Sequence, residues 1–321
     1  MKFTFIIDSI EKLDPTHDSS VAIMEAAQIL GHEVYITTID LLSVVDGKAY
    51  AHLQPVTLKP VELVNHHWQV EKNWYFLGES EFLPLEYCQA VFMRKDPPVN
   101  TPYLYATYIL DLIDTKKTKV LNSPQGIRGA NEKMYALQFP TVIPSTIVTQ
   151  SKEVIANFLD EKEAIILKPL GGKAGEGILF LQQGDRNFNS LIEISTKQGY
   201  EPIMVQEYLP SAKEGDKRII LLDGKPIGAV NRIPTGKEFR GNMAVGGRVA
   251  QTDITDRELM ICDTLAPKLK EDGLFFVGID VIGGYLTEVN VTSPTGIREI
   301  DRLNNVNLGK QVISAVVNQL S

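Results

Sequence analysis

The chain has 321 residues, 44% hydrophobic and 22% charged, with a net charge of −8 and a pI near 5.3. It is long enough for two or three packed units and too acidic for a broad nucleic-acid face, although a local basic pocket stays open. The two cysteines, Cys88 and Cys262, form no CxxC pair, no apolar run reaches membrane-spanning length and the N-terminus meets charge too early for a signal peptide, so a cytoplasmic protein with reduced core thiols is expected.

In chain order, KFTFIID (2–8) reads as a strand, and a helix follows from about Ser19 to Leu30, with Ile23, Ala27 and Leu30 on one face and Gly31 as its stop. EVYITTID (33–40) is the next strand, which makes a parallel βαβ unit. The stretch 46–86 mixes aromatic, histidine and charged residues and reads as an irregular or hairpin insertion. AVFMR (90–94) is a buried strand running into KDPP. A helix over 100–114 takes Thr101 as cap and Pro102 at its first position, and KVLNSP (119–124) closes the region. From about Asn122 hairpins dominate: AIILKP (164–169), ILFLQ (178–182), IMVQEYL (203–209), RIILLDGKPIGAVNRI (218–233) and FVGIDVIGGYLTEVNVTSPTGIRE (276–299). Helices are expected at about 131–139, 151–160, 187–199, 255–272 and 305–320, the fourth with a Thr255–Glu258 capping box and a kink at Pro267. An α/β third is thus followed by an α+β remainder.

The candidate chemistry lies in the remainder. LKPLGGKAGEGILF (167–180) sets Gly171, Gly172, Gly175 and Gly177 between two strands. Such a loop is either a hairpin turn or an anion cradle built from backbone N–H groups. It lacks the GxxxxGK[ST]-to-helix pattern of a P-loop. Lys168, a cation in the apolar strand before it, needs a partner, and a phosphate would serve. Lys133 is either a second such cation or a surface lysine. Gln206–Glu207 interrupts an apolar run that reads as an edge strand or as a strand offering backbone groups to a purine.

In the 276–299 hairpin Glu288 and Asn290 share a face. A two-residue Gly283–Gly284 loop would turn Asp280 away from them, whereas a longer loop or a bulge would bring it opposite Glu288. Three oxygen donors on one face suit Mg²⁺; the alternative is a solvated sheet face. Arg94, Arg218, Arg232, Arg240 and Arg298 sit mainly at strand ends, where their forks could bind an anionic small molecule. The segment 234–248 is of the kind that forms a lid, or a loop with no role. All five histidines fall within the first 67 residues, away from these motifs, and no GxSxG elbow is present, so His-based catalysis is not expected. Cations, glycines and a magnesium face suit phosphoryl transfer.

Lys133, Lys168, the glycine loop, MVQEYLP, GDKR and TEVN in this order resemble an ATP-grasp ligase. MRKDPP (93–98), NEK (131–133), ILKPLGG (166–172), DKR (216–218), RGNMAVGGR (240–248) and VGIDVIGGYLTEVNVTSPTGIREI (277–300) resemble the prokaryotic type of glutathione synthetase over essentially the whole chain. The resemblance implies an N-terminal Rossmann-like, pre-ATP-grasp domain over 1–122 and two ATP-grasp subdomains over 123–202 and 203–321. It implies ATP contacts from Lys133, Lys168, the loop glycines, Gln206, Glu207, Tyr208, Leu209 and Asp216. Asp280, Glu288 and Asn290 would hold Mg²⁺, with Mn²⁺ possible. Arg94, Arg218, Arg232, Asn290 and Ser293 would bind the peptide, with Arg218, Arg232 and Arg240 acting at the reacting centre. The substrates implied are ATP, γ-glutamylcysteine and glycine, and the assembly a homo-oligomer, commonly a tetramer. Another ATP-grasp ligase, or an ATP-binding regulatory protein without catalysis, are the competing readings.

Overall fold

A computed structural model of the chain describes residues 1–172, 175–235 and 247–320. The first sheet is built on β1 (Lys2–Ile6), β2 (Glu33–Thr37), β9 (Ala90–Met93) and β10 (Lys119–Leu121), which run parallel in the order β10-β9-β1-β2. Helix α1 (Ser19–Ile29) joins β1 to β2 and starts at Asp18, whose carboxylate accepts from the Ser20 and Val21 amides. The stretch 46–86 extends this sheet antiparallel. Strand β4 (Lys48–Leu58) pairs with β2 and carries β3 (Leu42–Val45), β7 (Tyr75–Leu77) and β8 (Glu81–Pro84). A separate hairpin, β5 (Glu62–Val64) and β6 (His67–Gln69), projects from it. Helix α2 (Thr101–Leu110) is capped by Asn100, which accepts from Tyr103 N at 3.2 Å, so the cap lies one residue before Thr101. Helix α3 (Pro124–Gly129) leads out of the domain.

The second sheet is antiparallel, in the order β11 (Thr146–Thr149), β14 (Ile203–Glu207), β12 (Ala164–Pro169), β13 (Leu179–Gln182). Helices α4 (Lys152–Lys162) and α5 (Phe188–Ser195) cover one face through Ile155, Phe158, Leu159 and Ile192. Strand β14 is internal to this sheet, so the second unit extends past the border expected at 202/203.

The third sheet runs β17 (Arg248–Gln251), β16 (Lys225–Ile233), β15 (Asp216–Leu222), β18 (Phe276–Ile282), β19 (Tyr285–Asn290). Both faces are covered, which explains the unbroken apolar run in β15. Ile219 and Leu221 pack against Ile261, Leu265 and Leu269 of α6 (Asp256–Glu271), while Ile220 and Leu222 join a core with Ile297 and Ile300 of α7 (Ile297–Asn304). The Thr255–Glu258 capping box forms, and α6 continues through Pro267. The helix expected at about 305–320 is α8 (Leu308–Leu320), which packs back on α1; α7 just before it is a helix the sequence did not announce. The helix expected at 131–139 is a single 3₁₀ stretch, Met134–Gln138. Cys88 and Cys262 are buried thiols. Among the described residues no helix is long and apolar enough to cross a membrane.

Candidate active site

The Gly283–Gly284 turn has φ of +56° and +77°, values that suit glycine and close a two-residue hairpin loop. Val281 therefore pairs with Leu286, yet Asp280 pairs with Glu288, because Thr287 is accommodated as a bulge. The bulge, one step inside the turn, puts Asp280, Glu288 and Asn290 on one face. Register carries the same face across the sheet: Asp280 lies opposite Arg218, and Asp216 opposite Arg232. At its other end this face is apolar and packs on α7, so the fold buries one half and leaves the charged half in a cleft.

There the charges are tightly paired. Arg218 binds Asp280 with Nε–Oδ1 at 2.5 Å and Nη2–Oδ2 at 3.0 Å, and Arg232 reaches Asp280 at 2.9 Å and Asp216 at 2.6 Å. Burial would raise the Asp280 carboxyl, but the two guanidiniums outweigh it and hold it well below the usual carboxylate range. Asn290 Nδ2 lies 3.4 Å from Asp280 Oδ2. The second oxygen of Asp216, Oδ1, is buried without a hydrogen-bond partner among the described residues.

Lys133 is almost fully buried. Its Nζ donates to Gly172 O at 2.7 Å and to Glu288 Oε1 at 3.0 Å, tying the glycine loop to the hairpin. Asn131 sets it there by accepting from the Lys133 and Met134 amides and donating to Leu170 O. Lys168 points along the second sheet to Gln206 Oε1 at 2.5 Å, and burial pushes its ammonium below the usual lysine value.

These groups line a cleft between the second and third sheets, with an empty volume, mouth included, of about 840 Å³. Its walls include Ile166, Lys168, Gln206, Glu207, Tyr208, Leu209, Asp216, Asp280 and Glu288. Gly172 and Gly175 also line it; Gly171 and Gly177 do not. A second cleft opens toward the N-terminal domain, lined by Arg218, Arg232, Asn290, Ser293 and Thr295 on one side and Lys12, His17 and Asp96 on the other. Glu288 lines both clefts. Arg94 lines neither: its guanidinium donates to Ser20 Oγ and Pro294 O, both at 3.0 Å, and holds up the cleft wall. Arg298 is likewise structural, bound to Glu25 and Pro15 O. Arg240, Lys173 and most of the 234–248 segment lie outside the described residues.

Asp280, Glu288 and Asn290 offer oxygen donors without nitrogen or sulfur, the set a hard divalent cation takes. Glu132 sits beside them and accepts from Thr292 Oγ1 at 2.8 Å. Burial, and after it the Glu288 charge, push its carboxyl up against the Thr292 hydrogen bond and the Lys133 and Arg218 charges. Among the described residues no cluster of three or more His, Cys, Asp or Glu suits a metal. The donor set fits a cation whose shell water and phosphate oxygens complete.

Sequence reasoning missed His17, which it set apart from the motifs, and Asn122, whose amide bonds Phe276 O and Val291 O and whose oxygen takes the Phe275 and Phe276 amides. The run of aspartates around His17 was its only local signal.

The model of the N-terminal domain of prokaryotic glutathione synthetase matches residues 1–128, and that of its ATP-grasp domain matches 132–305. A glutathione synthetase of Synechocystis sp. is 68% identical over 313 residues, covering 98% of each chain. One of Nostoc sp. is 64% identical over 320 residues, covering 100% of this chain and 99% of the relative. Among solved structures, the D-cycloserine synthetase DcsG aligns over 100% of both chains with a TM-score of 0.67 at 12% identity. The ATP-grasp ligase PsnB, complexed with a minimal precursor, Mg and ADP, aligns over 99% of this chain and 98% of its own with a TM-score of 0.63 at 16% identity. The last two are similar in fold.

Proposed function

The chain belongs to the prokaryotic glutathione synthetase family, and from that membership we propose how its two clefts join γ-glutamylcysteine to glycine at the expense of ATP. It is an ATP-dependent ligase of the ATP-grasp class. The observation that carries the reading is the place of Glu288, the residue that lines both clefts and meets Lys133. A phosphoryl group leaving the nucleotide must cross to the peptide there.

In this reading the adenine lies against Ile166 and the strand end Gln206 to Leu209. The unpartnered Asp216 oxygen accepts from a ribose hydroxyl. Lys133, Lys168 and the amides around Gly172 and Gly175 hold the phosphates. Lys168 exchanges Gln206 for phosphate oxygens, which restores a full counter-charge to a desolvated ammonium. Asp280, Glu288 and Asn290 would hold a divalent cation, Mg²⁺ with Mn²⁺ as the alternative, which would neutralise phosphate oxygens. The cysteinyl carboxylate attacks the γ-phosphorus, ADP leaves, and an acyl phosphate forms. Arg218 and Arg232, held by Asp280 and Asp216, face this anion. The glycine amine then attacks the acyl carbon, phosphate leaves, and the amine proton goes to solvent or phosphate. Neither step needs a protein nucleophile. Work in the cytoplasm as a homo-oligomer, a tetramer by family likeness, completes the proposal.

The test is ADP release with Mg·ATP, γ-glutamylcysteine and glycine, omitting each in turn. Release that needs all three, with glutathione formed, is the expected result. Release indifferent to glycine would move the acceptor elsewhere. None at all in a protein that binds ATP would favour the regulatory reading.

A further inference from the structure

His17 lies in the loop before α1, and Glu299 in the first turn of α7, 282 positions on. The His17 Nδ1 and Glu299 Oε1 are 2.5 Å apart. The Glu299 side chain is 10% exposed, and its other oxygen is buried without a partner among the described residues. The His17 side chain is 39% exposed and lines the second cleft. The Glu299 hydrogen bond, reinforced by Asp14 and Asp18 and opposed by burial, raises the imidazole toward its protonated form. Nδ1–H then donates to Glu299, and Nε2–H remains a donor with no partner among the described residues. The guanidiniums of the cleft are engaged elsewhere: Arg218 with Asp280 and Thr295 O, Arg232 with Asp216 and Asp280.

The cysteinyl carboxylate must react beside Glu288. The γ-linkage of the dipeptide sends its glutamyl α-carboxylate and α-ammonium to the opposite end of the molecule. Glu288, Asn290, Ser293, Pro294 and Thr295 line one wall of the cleft, and Glu299 follows them in α7. His17 lines this same cleft from the N-terminal domain, facing the wall that carries Asn290, Ser293, Pro294 and Thr295. Lys12, Asp14, Asp18 and Asp96 line the same cleft, so a head group with both charges meets both signs there.

We propose that His17, oriented by Glu299, binds the α-carboxylate of the γ-glutamyl head and so selects the dipeptide. This rests on the ligase reading above.

The experiment compares kcat/KM of wild type, His17→Gln and His17→Lys on γ-glutamylcysteine and on 4-aminobutanoyl-cysteine, the same molecule without the α-carboxylate. On the native dipeptide His17→Gln is expected to lose roughly 10- to 100-fold, the range of one charge-assisted hydrogen bond, through KM. On the analogue, wild type and His17→Gln should match, and KM for ATP should not move. His17→Lys, which keeps the charge, should recover most of the loss. Equal losses on both substrates, or no loss on either, would overturn the subsite while leaving the ligase reading intact. A wild type inactive on γ-glutamylcysteine would overturn both.

Discussion

Asp280 and Glu288 face each other across one hairpin, yet their surroundings give them different work. Asp280 is buried between two guanidiniums, whose charges it neutralises together with Asp216. Removing one partner from such a cluster leaves a buried charge uncompensated, at a cost of about 3–5 kcal/mol. Asp280→Asn should therefore lower stability by that order, read as a reduced midpoint in urea, as well as abolish turnover. Glu288 is 23% exposed, and its partner Lys133 keeps the bond to Gly172 O when the carboxylate goes. Glu288→Gln should cut ADP release by roughly 100-fold, as loss of one preorganised charge does, with a urea midpoint near that of wild type. Nucleotide binding that needs more added Mg²⁺ in Asp280→Asn but no more in Glu288→Gln would contradict the assignment of Glu288 to the cation.

Helices α7 and α8 meet at Asp301, whose Oδ1 accepts the Leu308 amide at 2.8 Å and caps α8. Burial outweighs this bond and the Arg298 charge and pushes the carboxyl up to about 7. A carboxyl whose folded value lies above its unfolded one near 4 binds its proton more tightly in the folded chain. Its contribution to stability is complete below pH 4 and is lost as pH rises through 7, at a cost of up to about 4 kcal/mol. Wild type should thus melt lower at pH 8 than at pH 6, and Asp301→Asn, which keeps an acceptor for Leu308 N, should flatten that slope; an unchanged slope would sink the assignment. The same two helices show where the sequence was legible. The Asp280–Glu288–Asn290 face and Lys168 could be read because a charge in an apolar strand stands out against a period of two. The 290–299 segment could not: α7 opens on buried Arg298, Glu299 and Asp301, whose charges look like a surface loop until Glu25, His17 and the Leu308 amide close on them. His17 was missed for the same reason, its partner lying on a distant element. The 46–86 stretch resisted because β7 and β8 both pair with the long β4, while β5 and β6 pair with each other and dock on α7 through Trp68 Nε1 to Arg298 O at 2.7 Å.

At the scale of the molecule, the last helix belongs to the first domain. Val312, Ile313 and Val316 of α8 share a core with Phe3, Ile23 and Met24, and that core continues into Ile220, Leu222 and Val230 of the third sheet. The N-terminal domain and the sheet that carries the charged face are thus cemented by one set of apolar contacts, and although separate domains commonly unfold independently, this shared core predicts that the two lose structure together. The tightest point is Gly309, where an added Cβ would sit 2.6 Å from Ala22 O and 3.1 Å from Ala26 Cβ. Gly309→Ala gains about 1 kcal/mol of helix propensity, but it drives a methyl into the backbone of α1, and overpacking of this kind costs about 1–3 kcal/mol. A backbone carbonyl has little room to yield, so the loss should win and the variant should melt several degrees lower. Both tryptophans, Trp68 and Trp74, lie in the first domain, Trp68 against Arg298 of α7, so their fluorescence reports that domain and its seam with α7, while nucleotide binding reports the cleft between the second and third sheets. If the shared core couples them, the two signals in Gly309→Ala should fall together, both earlier than in wild type. A variant whose tryptophans unfold early while ATP still binds would show that the α1–α8 contact holds the first domain only, and that the third sheet stands without it.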